Sequence, residues 1–147
     1  MGHVVLAGML TMALCLSIHA IAMFAILKTQ VWFRRRFPGA HGISLIVPSI
    51  LLATVVMVIS SGIQICIWSA LCWTTGHFNS YHDALYFSGT TYTTLGTGER
   101  GLAAPYRAFE PIEAMNGMLA AGLNTAILFA ILANFGRRHS SLNEFFE

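Results

Sequence analysis

Three long stretches without an interior charge constrain this sequence more than any other feature. They cover residues 4–27, 43–73 and 112–134, and the one charge among them is Glu113 at the start of the third. A helix needs about 20 apolar residues to cross a bilayer, so the sequence predicts three transmembrane helices. The second stretch is longer than a bilayer requires, so we expect it to tilt or project, with Pro48 marking its true start or a kink.

The composition supports a membrane location and excludes several function classes. Of the 147 residues, 56% are hydrophobic and 10% are charged, whereas a soluble domain carries about 25% charged residues. No basic patch is interleaved with aromatic residues, so nucleic acid is not an expected partner. The three cysteines lack metal-ligand spacing, and no nucleophile is paired with a base. We therefore expect neither an enzyme nor a resident cofactor.

The basic residues predict the orientation. Six of the eight Lys and Arg lie at residues 28–36 and 137–138, and such residues concentrate on the cytoplasmic side. The first loop and the tail are therefore expected inside and the N-terminus outside. The first stretch lacks the basic start and the cleavage site of a signal peptide, so it is taken as a mature helix. The expected location is the plasma membrane, the inner membrane of a prokaryote.

The segment between the second and third stretches, residues 74–111, begins and ends outside in this topology. Its apolar, aromatic middle, residues 83–94, would rise about 18 Å as a helix, which is too short to cross. The Gly-rich residues 95–98 follow at once. Irregular backbone at membrane depth persists only where protein covers it or where it lines a water-filled path. The pattern predicts a re-entrant loop made of a short helix and an extended return.

The sequence of Thr94–Gly98 (TLGTG) suits coordination of a dehydrated cation by backbone oxygens. Carbonyl groups replace water without a full negative charge, so the ion can also leave. Successive carbonyls of a strand point to opposite sides, so aiming all of them inward requires left-handed backbone at alternate residues, which glycine adopts readily. Gly96 and Gly98 provide this alternation, and Thr94 adds a hydroxyl. One chain supplies one or two oxygens per ion layer, so we expect four chains around one pore.

Residues 84–99 (ALYFSGTTYTTLGTGE) resemble the pore helix and filter of the potassium-channel superfamily, whose filter T-V-G-Y-G coordinates ions through carbonyls. The resemblance extends more loosely to the second and third stretches. It implies an all-α membrane protein, a homotetramer in which each chain has three transmembrane helices, a re-entrant pore helix and a selectivity-filter loop. The implied parts are an N-terminal helix with a basic cytoplasmic loop (1–42), a pore domain (43–136) with outer helix (43–73), pore helix (83–94), filter (94–98) and inner helix (112–134), and a short cytoplasmic tail (137–147).

The same resemblance implies roles for individual residues. The ion-binding filter would consist of Thr94, Leu95, Gly96, Thr97 and Gly98, with K⁺ bound at the first four and Na⁺ as the other candidate ion. Filter support and the outer mouth would involve Phe87, Thr90, Thr93 and Glu99. Gly122 resembles the gating hinge of the inner helix, and Gly117 is the competing candidate.

Two positions depart from the pattern of that superfamily. The filter tyrosine is replaced by Thr97, and the pore-helix aromatic donor that often holds its hydroxyl is replaced by Phe87, which has no donor. Both ends of this brace are missing together. We therefore expect either a less rigid filter or another brace, and selectivity for potassium over sodium is the property most affected.

Polar residues elsewhere in the sequence also have candidate roles, and some of them have two interpretations. Asn124 and Thr125 on the third stretch either line a water-filled cavity or form interhelical hydrogen bonds. His19 and Gln64 are interpreted as interhelical hydrogen-bonding residues. The outer segment and the start of the third stretch together carry four acids and two arginines, which would concentrate cations at the mouth of a tetramer. Alternatively, the segment is a solvated loop in which Asp83 and Glu113 stabilise helix starts.

Three function hypotheses remain open on the sequence. The leading one is a passive channel that conducts potassium through a carbonyl-lined filter. The second, motivated by Thr97, is a cation channel that discriminates poorly between sodium and potassium. The third is a non-conducting accessory subunit, in which the filter sequence has no transport role. In each case the expected partners are the bilayer and, for a channel, further copies of the chain and monovalent cations.

Overall fold

All regular structure in the described part of the chain is helical. The computed structural model describes residues 2–36, 43–96 and 101–136. Four helices follow each other along the chain: α1 (Gly2–Arg36), α2 (Ile43–Thr74), α3 (Tyr81–Tyr92) and α4 (Phe109–Gly136), the last preceded by one 3₁₀ turn (Tyr106–Ala108). The predicted residues Thr97, Gly98 and Glu99 and the tail 137–147 lie outside the described residues.

Three of these helices are long and apolar enough to cross a membrane, over Gly2–Phe33, Ile46–Thr74 and Tyr106–Asn134. The prediction of three membrane-length helices is therefore confirmed. Pro48 lies inside α2, five residues after its first residue, so it does not mark the start of that helix. As the sixth residue of α2, Pro48 lies beyond the first turn, so its ring removes one i→i−4 hydrogen bond from the helix.

Polar contacts fix the direction of α1 relative to α2. The Nδ1 atom of His19 lies 3.3 Å from the hydroxyl of Ser60 and 3.1 Å from the amide nitrogen of Gln64. Further along α1, the amide of Gln30 donates to the carbonyl of Ser49 at 3.4 Å. Rising numbers in α1 pair with falling numbers in α2, so the two helices are antiparallel.

The inner face of α4 packs against both α1 and α2. Near its start, a side chain at Gly8 would meet Phe109 and Ile112, so glycine allows α1 a close approach there. Further on, Ile127 and Ile131 share an apolar cluster with Ile26. Since both contacts run in the same sequence direction, α4 is parallel to α1 and antiparallel to α2.

Candidate functional site

A capping interaction sets the start of α3. The backbone N–H of Asp83 donates to the hydroxyl oxygen of Ser80 at 3.2 Å, and that hydroxyl donates to the Asp83 carboxylate at 2.8 Å. The first of these bonds satisfies one of the backbone N–H groups that the first helical turn leaves free. The helix consequently begins at Tyr81, two residues before the predicted start. The interpretation of Asp83 as an acid that stabilises a helix start is confirmed.

The last residue of α3, Tyr92, is held against α4 at a glycine. A Cβ atom added at Gly117 would overlap the carbonyl oxygen of Tyr92, and the nearest side-chain atom of Tyr92 would also be in close contact. Gly117 is eight residues into α4, which corresponds to about 12 Å along the helix axis. The C-terminal end of α3 thus lies well inside the helical bundle. After the loop, the chain returns to the region before α3, because the ring of Tyr106 lies beside that of His77 with 5.6 Å between centroids.

The backbone after α3 alternates in handedness. Thr94 has φ 61° and Gly96 has φ 80°, with Leu95 between them outside the positive range. The N–H of Thr94 donates to the carbonyl of Thr91 at 2.9 Å, and the N–H of Gly96 donates to that of Thr90 at 3.0 Å. The left-handed conformation at Gly96 was expected. At Thr94 it was not, since a residue with a Cβ adopts it at a cost of about 1–2 kcal/mol.

The side chains of the two predicted support threonines bond within α3 rather than to the loop that follows it. Thr90 donates its hydroxyl to the carbonyl of Phe87 at 2.9 Å, and Thr93 donates to that of Gly89 at 2.8 Å. The ring of Phe87 is buried against Phe78, with 5.0 Å between centroids. Within the described residues, Thr90 reaches the loop through its carbonyl, which accepts from Gly96.

A buried polar cluster behind α3 links all four helices. The Oε1 atom of Gln64 accepts from the Tyr92 hydroxyl at 3.2 Å and from the Asn116 amide at 3.0 Å. The amide nitrogen of Gln64 faces His19 and Ser60, as described above. Interhelical bonding was predicted for His19 and Gln64 and is confirmed. Tyr92 and Asn116 were missed, although a polar group inside an apolar run is a signal that such a partner exists.

One of the acids, Glu113, lies elsewhere than the solvated-loop interpretation requires. Glu113 is fully buried, and neither carboxylate oxygen has a hydrogen-bond partner among the described residues. The expectation that Glu113 stabilises a helix start in a solvated loop is therefore wrong, because its turn of α4 faces the interior. Glu110 accepts from the N–H of Leu102 at 2.6 Å and so ties the loop to the start of α4.

The remaining predicted residues on α4 differ in their surroundings. Thr125 is exposed and donates to the carbonyl of Ala121 in its own helix at 3.0 Å. Asn124 lies near His19, although its Oδ1 atom completes no hydrogen bond within the described part of the chain. This neighbourhood favours the interhelical alternative for Asn124. A Cβ added at Gly122 would meet open space, in contrast to Gly117.

The comparisons with known proteins agree with this architecture. A family model described as "Ion channel" matches residues 49–135, which is more than half of the chain and includes most of α2, all of α3 and most of α4. No curated protein and no solved structure matches the chain at a significant level. The chain therefore belongs to the ion channel family, as its resemblance to the potassium-channel superfamily indicated.

Proposed function

We propose that four copies of the chain form a passive pore that conducts potassium through the backbone of Thr94–Gly98. The observation that carries this proposal is the alternation of left-handed backbone at Thr94 and Gly96. Such alternation turns successive carbonyl groups to one side, where four chains would complete each ion cage. The C-terminal end of α3 precedes this backbone directly, and the negative end of its dipole favours a cation nearby.

The proposed membrane arrangement follows from the positions of α3 and the loop. α3 would enter the bilayer from outside, and residues 94–98 would return the chain to the same side as a re-entrant loop. Several large apolar side chains of α4, among them Met118 and Phe129, are exposed in the single chain. Contact with neighbouring chains and lipid would cover them, which supports assembly around the axis.

Poor discrimination between sodium and potassium is the second candidate function. It is favoured by Phe87, which is buried against Phe78 and has no donor with which to brace a filter. In that case the same loop would conduct both ions. The non-conducting subunit is a third possibility, which a flux measurement separates from both channels.

The deciding experiment is a reversal potential in planar bilayers containing the purified protein, with potassium on one side and sodium on the other. A potential near the potassium equilibrium value supports the potassium channel. A potential near zero with clear current supports the poorly selective channel. Assembled protein without any current would contradict both, and would leave the accessory subunit as the remaining hypothesis.

A further inference from the structure

The polar cluster behind α3 has a single hub. Gln64 is fully buried, and its amide group uses both ends: Oε1 accepts two hydrogen bonds, from Tyr92 and Asn116, and Nε2 faces two acceptors, on His19 and Ser60. An amide group can accept two such bonds and donate two. The side chain of Gln64 is therefore saturated by partners from α1, α2, α3 and α4.

The tautomer of His19 follows from these contacts. Its Nδ1 atom lies within hydrogen-bond distance of Gln64 Nε2, which can only donate. Nδ1 must then accept, and the ring proton of a neutral imidazole belongs on Nε2. Within the described residues, Nε2 completes no hydrogen bond, and neither does the Oδ1 atom of the neighbouring Asn124. The donor and acceptor assignments are thus compatible along the contacts that run from His19 through Gln64 to Tyr92.

Tyr92 is the point at which the cluster meets the ion-binding backbone. It is the last residue of α3 and lies two residues before Thr94. Its hydroxyl is held by Gln64 and its carbonyl is confined by Gly117. In a membrane interior no water replaces a lost hydrogen bond. Breaking the bond between Tyr92 and Gln64 therefore costs more free energy there than it would in water.

We propose that Gln64 is a positioning residue for the filter loop, acting through the Tyr92 hydroxyl, and that His19 makes the N-terminal helix part of this brace. The proposal rests on the proposed function, because it takes residues 94–98 as the filter. It also supplies a brace in place of the one that Thr97 and Phe87 cannot form. In this brace, Tyr92 at the end of α3 donates a hydrogen bond to Gln64 of α2.

The test uses the full-length tetramer and the variants Tyr92→Phe, Gln64→Leu and their combination. Tyr92→Phe removes only the hydroxyl, so it leaves the packing of the ring in place. Because each variant loses a buried hydrogen bond, we expect it to change the potassium-to-sodium permeability ratio by about two- to tenfold, or the unitary conductance if wild type does not discriminate. The double variant should be no worse than the stronger single one, since both remove the same contact.

The role of α1 is tested by His19→Leu, which should change the same quantity in the same direction by a smaller factor. Ser69→Ala and Thr11→Val are matched controls: both hydroxyls donate within their own helices, to Ile65 and Ala7. They should leave permeation unchanged. Lower yield or thermal stability with unaltered permeation in assembled Tyr92→Phe and Gln64→Leu would overturn the proposal, and so would additive effects in the double variant. A wild-type tetramer without current would instead refute the proposed function.

Discussion

The carbonyl oxygen of Tyr92 lies so close to Gly117 that no side chain fits between the end of α3 and α4. The neighbouring candidate hinge, Gly122, has no such neighbour. Gly117 and Gly122 therefore have different structural requirements. Gly117 is needed for contact with the end of α3, whereas a methyl group at Gly122 meets no obstacle in the single chain.

The first prediction compares Gly117→Ala with Gly122→Ala. Forcing a methyl group into a closely packed contact costs about 1–3 kcal/mol, and here the displaced atoms belong to the backbone before the proposed filter. We expect Gly117→Ala to lower the thermal stability of the assembled protein and to reduce ion flux. Gly122→Ala should keep wild-type stability, because alanine also favours the helix.

Both variants are compared by thermal unfolding in detergent and by flux into liposomes. If Gly122 is the hinge, its alanine variant changes the open probability in single-channel records without a loss of stability. Equal stability of Gly117→Ala and wild type would contradict the close contact at Tyr92.

The second prediction concerns the number of chains. One loop per chain supplies too few oxygens for an ion cage, so native mass spectrometry from nanodiscs should give four copies of the 16.0 kDa chain. Ion binding should stabilise this assembly, so replacing potassium with a large organic cation should lower its melting temperature. A monomer or dimer as the sole species would remove the pore hypothesis.

The third prediction is the orientation, with the N-terminus outside. Cysteines introduced as Gly2→Cys and Phe145→Cys should react with an impermeant maleimide from opposite sides of sealed vesicles. The background variant is Cys66→Ala, because that native thiol is exposed while Cys15 and Cys72 are buried. Labelling of both positions from one side would mean that one of the three long helices does not cross.

The fourth prediction tests the missing brace of the superfamily pattern. Thr97→Tyr alone should help potassium selectivity little, because Phe87 offers no hydrogen-bond donor. Combined with Phe87→Trp, it should raise the potassium-to-sodium ratio by more than the two single effects added together, as directly interacting residues do. Each tenfold change would correspond to about 1.4 kcal/mol.

Reversal potentials of wild type, both single variants and the double variant decide this prediction. Phe87 is packed against Phe78, so the indole of Phe87→Trp needs additional space. Adding Phe78→Leu to the double variant provides that space and is measured alongside it. Additive effects would favour Gln64 and Tyr92 as the brace instead.

The long helices could be predicted because the length of an apolar run can be counted directly along the sequence. The limits of α3 were displaced by two residues because the cap at Ser80 depends on local hydrogen bonds. The burial of Glu113 was missed for a different reason: hydropathy along the chain does not tell which face of α4 meets α1 and α2. Similarly, the polar cluster around Gln64 joins residues of four helices, and only their arrangement in space brings them together.

The contacts of α1 with α4 have a mechanical consequence. Gly8 meets Phe109 and Ile112 near one end of the pair, and Ile26 shares an apolar cluster with Ile127 and Ile131 towards the other. A swing of the far half of α4 about Gly122 must therefore either drag α1 along or break the cluster around Ile26. A force that the bilayer exerts on α1 would then be transmitted through these contacts to the far half of α4.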